Sequence, residues 1–164
     1  MNSSQLKDLI GQKRPRYKEK YRPLIDSIST RGDQTGKGNF STLGPFYQTY
    51  MYAFIVGYKL GKQDFIKTGE KASDFFVLSQ WSPTTIRDYV VMLLLNKSND
   101  FGFTWLELEN ANEEAVNTFV SELIHQMEGY ANAGLEYLQA KWDNEKMEFH
   151  DPFVFVNFLE ELSN

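Results

Sequence analysis

Two clusters of side chains in the first quarter of this 164-residue chain carry the groups best suited to chemistry. Residues 13–22 (KRPRYKEKYR) interleave six basic side chains with Tyr17 and Tyr21. Cationic groups neutralise phosphates and tyrosine rings stack on unpaired bases, so Arg14, Arg16 and Lys18 are candidate nucleic-acid contacts. A charge run is equally a solvated face, here one that would pack against an acidic C-terminal half. Residues 30–44 (TRGDQTGKGNFSTLG) hold four glycines and few aliphatics, and they lead directly into a helix start. Glycine lets backbone N–H groups approach an anion, and a helix N-terminus adds partial positive charge. Arg31 and Lys37 supply charge there, Asp33 can orient Arg31 through a charge-assisted hydrogen bond, and Asn39 completes the candidate set. The expected ligand is an acidic partner surface or a phosphate. The alternative is an ordered connection wrapping the core.

Other chemistries lack a component. Gly32, Gly36, Lys37 and Gly38 approximate a phosphate loop, but the glycine spacing is short, Gly38 stands where Ser or Thr is needed, and no apolar strand precedes. Glu122 and His125 have the i, i+3 spacing of di-iron bundles, yet the only other histidine, His150, has Met147 at the matching offset. No metal or other cofactor is therefore expected. With no cysteine, two histidines and no Gly-x-Ser-x-Gly elbow, nucleophilic catalysis has a poor base. None of the twelve lysines follows an acid at a two-residue offset, which removes the Asp/Glu-x-Lys pattern of metal-dependent nucleases. Thirteen acids in residues 101–164 leave a hydrolase with a carboxylate pair as an alternative, although an acidic helix surface explains them without catalysis.

The element that must position these groups is residues 44–61 (GPFYQTYMYAFIVGYKLG). Pro45 suits a first helical turn and Gly61 a helix stop. Phe46, Tyr50, Phe54 and Tyr58 form one aromatic stripe, and Ala53, Gly57 and Gly61 form a ridge of small residues for close helix approach. Apolar residues surround nearly the whole circumference, as in a buried central helix. Around it, residues 3–29 predict a helix capped by Ser3 or Ser4, then the basic joint, then a helix near Leu24–Ile28, with Pro15 and Pro23 as breaks. Residues 75–78 predict a helix end or a short strand. Ser82-Pro83 predicts N-cap and N1 of a helix whose face is Ile86, Tyr89, Val90, Leu93 and Leu94, ending near Asn96. Residues 98–111 predict a connection, and Asn112 with Glu113 and Glu114 predicts the cap of the longest helix, reaching Trp142. Gly129 and Gly134 are its expected bend points. Asp151-Pro152 predicts the start of a last helix with Phe153, Val156, Leu159 and Leu162 on one face, although residues 147–158 also suit a strand.

Together these predict an all-α fold: a compact single-domain bundle of about five to six helices, spanning residues 1–164, around a buried aromatic helix. Thirteen Phe, nine Tyr and three Trp give the core an unusually aromatic character. The net charge of −5 conceals a strong polarity. Residues 1–37 carry nine Lys/Arg against four Asp/Glu, while residues 101–164 carry two against thirteen. That asymmetry implies charged partners, or attraction between the two ends. The central helix offers about 16 apolar-rich residues where a membrane span needs roughly 20, and four of its residues are tyrosines. With a polar start (MNSSQLKD) and no cysteine, a cytoplasmic protein without membrane association is expected.

Arg31-Gly32-Asp33, the Gly/Lys loop and residues 50–61 (YMYAFIVGYKLG) resemble small helical accessory proteins of bacterial anti-phage and DNA-modification systems. The resemblance covers about 30 residues and contains no catalytic motif. It implies a non-enzymatic subunit beside a larger ATPase or nuclease. The functional expectation is thus a non-catalytic interaction subunit with a protein partner, compatible with homo-oligomerisation. A nucleic-acid-binding module using the basic N-terminal region is the first alternative, and the carboxylate hydrolase is the second.

Overall fold

A computed structural model describes residues 2–30 and 40–164. Seven α-helices are described: α1 (Ser3–Gly11), α2 (Arg22–Ile28), α3 (Phe46–Leu60), α4 (Thr84–Asn96), α5 (Trp105–Glu109), α6 (Glu113–Asn144) and α7 (Val154–Ser163). The fold is helical as expected, apart from one antiparallel ladder between β1 (Arg16–Lys18) and β2 (Ala72–Asp74). Tyr17 lies opposite Ser73 in that ladder. The helix absent from the sequence reading is α5. Its signal was local: the Thr104 side chain accepts from Glu107 N–H, and Glu107 answers the Thr104 N–H, which is a capping box.

Helix α3 forms within one residue of where its end signals predict. Pro45 is the N-cap, and Gly61 closes the helix in the left-handed region at φ 63°. Both faces of α3 are used. Tyr50 stacks on Phe75 at 4.8 Å and Phe54 meets Tyr130 edge-on at 5.7 Å. The small-residue ridge meets α6 at two of its three members. Gly57 lies against the Tyr130 backbone, and Gly134 of α6 lies against the Ala53 backbone. A Cβ on Gly57 would sit 2.8 Å from the Tyr130 carbonyl carbon, and one on Gly134 would sit 2.9 Å from the Ala53 Cα. Gly61 faces open space and serves as a cap only.

Helix α6 begins as predicted, with Asn112 accepting from Ala115 N–H at 2.8 Å, and it runs unbroken for 32 residues, about 48 Å. Its glycines are places of close approach: Gly134 to α3, and Gly129 to Phe65 and Gln63. Residues 127–135 are all buried, because α3 covers one side and β1 with residues 63–65 covers another.

Four boundaries differ from the sequence reading. Asn2, not Ser3 or Ser4, caps α1 through a reciprocal pair of bonds with Gln5. Pro23 does not interrupt α2 but lies in its first turn, where a missing N–H costs nothing. Pro83 is the N-cap of α4, and that helix buries Val90 and Leu94 while Ile86 and Tyr89 stay exposed. Asp151 accepts from Phe153 N–H as a turn rather than a cap, so α7 starts at Val154 and buries Val154, Phe155 and Phe158. Phe153 and Val156 consequently face outward. Residues 147–158 contain no strand: residues 146–150 form a 3-10 turn ahead of α7.

The glycine contacts set the expected mutational response. Gly134→Ala and Gly57→Leu should each destabilise the protein by about 1–3 kcal/mol or more in urea unfolding, since the opposing atoms are backbone and cannot rotate away. Gly61→Ala should cost only about 1 kcal/mol, from left-handed strain alone. Amide exchange across residues 50–57 should track global unfolding.

Candidate functional site

The predicted site residues divide into three groups. Arg31, Asp33, Lys37 and Asn39 lie outside the described residues. Arg16 and Lys18 belong to β1 and are used inside the molecule. Arg14 is exposed at the entry to β1.

Helix α6 presents Glu128 and Asn132, one turn apart, to the edge of β1 that does not face β2. Glu128 accepts from Arg16 N–H at 2.6 Å and from Arg16 Nε at 3.2 Å, while Asn132 Oδ1 accepts from Lys18 N–H at 2.9 Å. Tyr50 OH donates to the Arg16 carbonyl at 2.8 Å. The Lys18 ammonium, 4% exposed, reaches Asp64 at 2.8 Å and Glu70 at 3.3 Å. Burial opposes its charge, but these two carboxylates outweigh burial and raise its pKa. Arg22 is likewise held by Asp26 and the Tyr17 hydroxyl. Half of the six basic side chains in residues 13–22 therefore have acidic partners within the chain. The expected packing of this joint onto the acidic C-terminal half is realised at Glu128 by an ion pair and at Asn132 by the Lys18 N–H, while the Lys18 ammonium finds its carboxylates in residues 64–70.

The histidines are engaged with rings. His125 stacks on Phe65 at 4.4 Å, and His150 on Phe40 at 4.3 Å. Among the described residues, no three His, Asp or Glu side chains are grouped as a metal would need, and no helix is long and apolar enough to cross a membrane.

A surface concavity of about 590 Å³ lies between α1, α4 and α5. Leu6, Ile10 and Leu78 line it as buried residues, while Val91 and Leu95 of α4 and Trp105 of α5 add partly exposed apolar surface. Two registers on α4 create it. Val90 and Leu94 turn into the core, so Val91 and Leu95, one position on, line the groove, and Met92 is 46% exposed beside them. Arg87 ties the groove end by donating to the Ser79 carbonyl at 3.2 Å and pairing with Asp88. Lys7, Asp8, Arg87 and Asp88 supply polar groups of both signs among its lining. Sequence reasoning missed this site because it assigned the apolar residues of α4 to a single buried face.

The Lys18 cluster makes a titration testable. Glu70 has its pKa lowered from 4.5, first by the Lys67 N–H that it accepts and then by Lys18. A lowered folded pKa means the contribution is complete above 4.5 and disappears as pH falls through the folded value. Carboxyl NMR should place the Glu70 midpoint below that of an ordinary glutamate. Lys18→Met should raise it only part of the way, because the Lys67 bond remains. For Lys18 the sign reverses: its contribution is complete below 10.5 and is lost as pH rises through its raised value.

No family model matches the chain, and no curated protein or solved structure matches it.

Proposed function

We propose that this protein is a non-catalytic interaction subunit that holds an amphipathic helix of a partner protein in the groove between α1, α4 and α5. The observation that carries the reading is the groove itself: an apolar floor of Leu6, Ile10 and Leu78 flanked by exposed Met92 and Trp105. Large side chains half-exposed beside a concave apolar floor mark interaction sites, because water contact there is unfavourable until a partner covers them. A helix presenting apolar anchors at i, i+3 or i+4 and i+7 suits a trough between two helices, and lining groups of both signs suit its polar flanks. The resemblance of residues 31–61 extends the proposal to an accessory subunit of a bacterial anti-phage or DNA-modification complex. The basic joint is weaker support for an extended nucleic-acid track, since Arg16 and Lys18 already have acidic partners.

A photo-crosslinking residue at position 92, compared with one at position 114, tests this in the producing cell. Position 92 should give a discrete adduct that position 114 does not. The adducted segment, made as a peptide, should be helical when bound, and Met92→Asp should weaken it by at least about tenfold, or about 1.4 kcal/mol, with unchanged melting temperature. Equal adducts from both positions, or an affinity indifferent to Met92→Asp, would remove the groove as the site. Self-association that Met92→Asp abolishes would make the occupant a second copy and overturn the proposed partner.

A further inference from the structure

A second concavity, independent of the groove, has a volume of about 410 Å³ and lies where β1, α2 and the start of α3 meet. Its lining combines two guanidiniums with aromatic rings: Arg14, Arg22, Phe46, Tyr47 and Phe76, with Asp74 as the acidic member. The two arginines differ in state. Arg22 is pre-oriented, donating from Nη1 to Tyr17 OH at 3.0 Å and from Nε to Asp26 at 3.1 Å, with its guanidinium 4.9 Å from the centre of the Phe46 ring. Arg14 is exposed and makes no ion pair or hydrogen bond among the described residues. The rings are equally uneven in exposure. Phe75 is buried in the core, whereas its neighbour Phe76 is 46% exposed and meets Tyr47 edge-on at 6.4 Å.

An exposed ring beside one fixed guanidinium and one that is unpaired among the described residues suits a ligand that is planar and anionic at once. Aromatic side chains stack on a base irrespective of its identity, and arginine recognises phosphate oxygens through its planar fork. Asp74 adds one acceptor, which favours a ring edge carrying N–H donors. The volume falls within the roughly 300–1,000 Å³ of small-ligand sites. The neighbouring basic residues Arg16 and Lys18 are taken up by Glu128, Asp64 and Glu70, so these two do not extend the phosphate-binding surface of the cleft. We propose that this cleft binds one nucleotide unit, with Arg14 and Arg22 taking the phosphate and the Tyr47–Phe76 wall taking the base.

A free nucleotide and a nucleotide within a single strand share this chemistry, and two probes separate them. AMP titrated by calorimetry, and a fluorescein-labelled ten-nucleotide oligo-dA followed by anisotropy, should be run on the full chain at low salt. Binding of AMP as tight as that of the oligomer identifies a free ligand; binding of the oligomer alone identifies a strand. Either supports the site if Arg14→Ala weakens it by about tenfold and Phe76→Ala by at least about fivefold. Neither variant should alter folding by circular dichroism; should Phe76→Ala do so, Arg14→Ala alone decides. Met92→Asp should leave nucleotide binding unchanged, which separates this site from the groove. For the oligomer, two guanidiniums limit the slope of log K against log salt to about −1.4. Absence of binding to both probes at millimolar concentration, indifference to Arg14→Ala, or a slope near −4 would overturn the proposal.

Discussion

The backbone-to-backbone approach of α3 and α6 is the constraint on which the rest of the molecule depends. Each helix gives up a side chain where the other brings a carbonyl: Gly57 receives the Tyr130 backbone and Gly134 receives the Ala53 backbone. Side chains flanking these points then interlock rather than meeting end to end, which places Phe54, Tyr58 and Tyr130 in mutual ring contact. Close packing gains many small dispersion terms at once, and a gap of even a methyl group forfeits them. The short helices surround this pair. Tyr52 of α3 donates to the Phe155 carbonyl of α7, and Lys97 just after α4 lies over the Tyr58 ring.

Burying α6 this deeply creates a polar obligation on its second side. Glu128 and Asn132 are buried, and a buried carboxylate is tolerable only when paired and hydrogen-bonded. The partner is the outer edge of β1, whose Arg16 and Lys18 N–H groups would otherwise be unmet donors. A two-stranded ladder of three residues is marginal alone, and this one is completed by a helix. The same arrangement brings Lys18 inward, where Asp64 and Glu70 neutralise it. Structure thus absorbs Arg16, Lys18 and Arg22 of the basic joint in ion pairs, and Arg14 is among the residues it leaves exposed.

Surface and core divide on α4 by a single residue of register. Val90 and Leu94 complete the core, while Val91 and Leu95 line the apolar groove. On α7 the division is similar, with Phe155 and Phe158 inward and Phe153 and Val156 outward. Both helices are more apolar than one buried face requires, and in each some of the excess is exposed.

Local chemistry made part of this legible in the sequence. Helix class, the ends of α3 and the cap of α6 follow from Pro45, Gly61, Asn112, Glu113 and Glu114, because capping bonds join residues three or four apart and need no tertiary partner. The small-residue ridge also announced a close contact. Which residues it would touch was not announced, so Gly134 read as a bend point instead of the reciprocal half of that contact. Side chains of β1, α4 and α7 followed the same logic. Charge content identified Arg16 and Lys18, but only the chain's return at residues 64–70 and 128 determined that they face inward to carboxylates. Periodicity identified amphipathic helices, but an apolar arc wider than one contact face has several admissible rotations. The α3–α6 packing chose among them, because burial depends on what lies opposite, and residues opposite one another here are separated by as many as 114 positions in the chain.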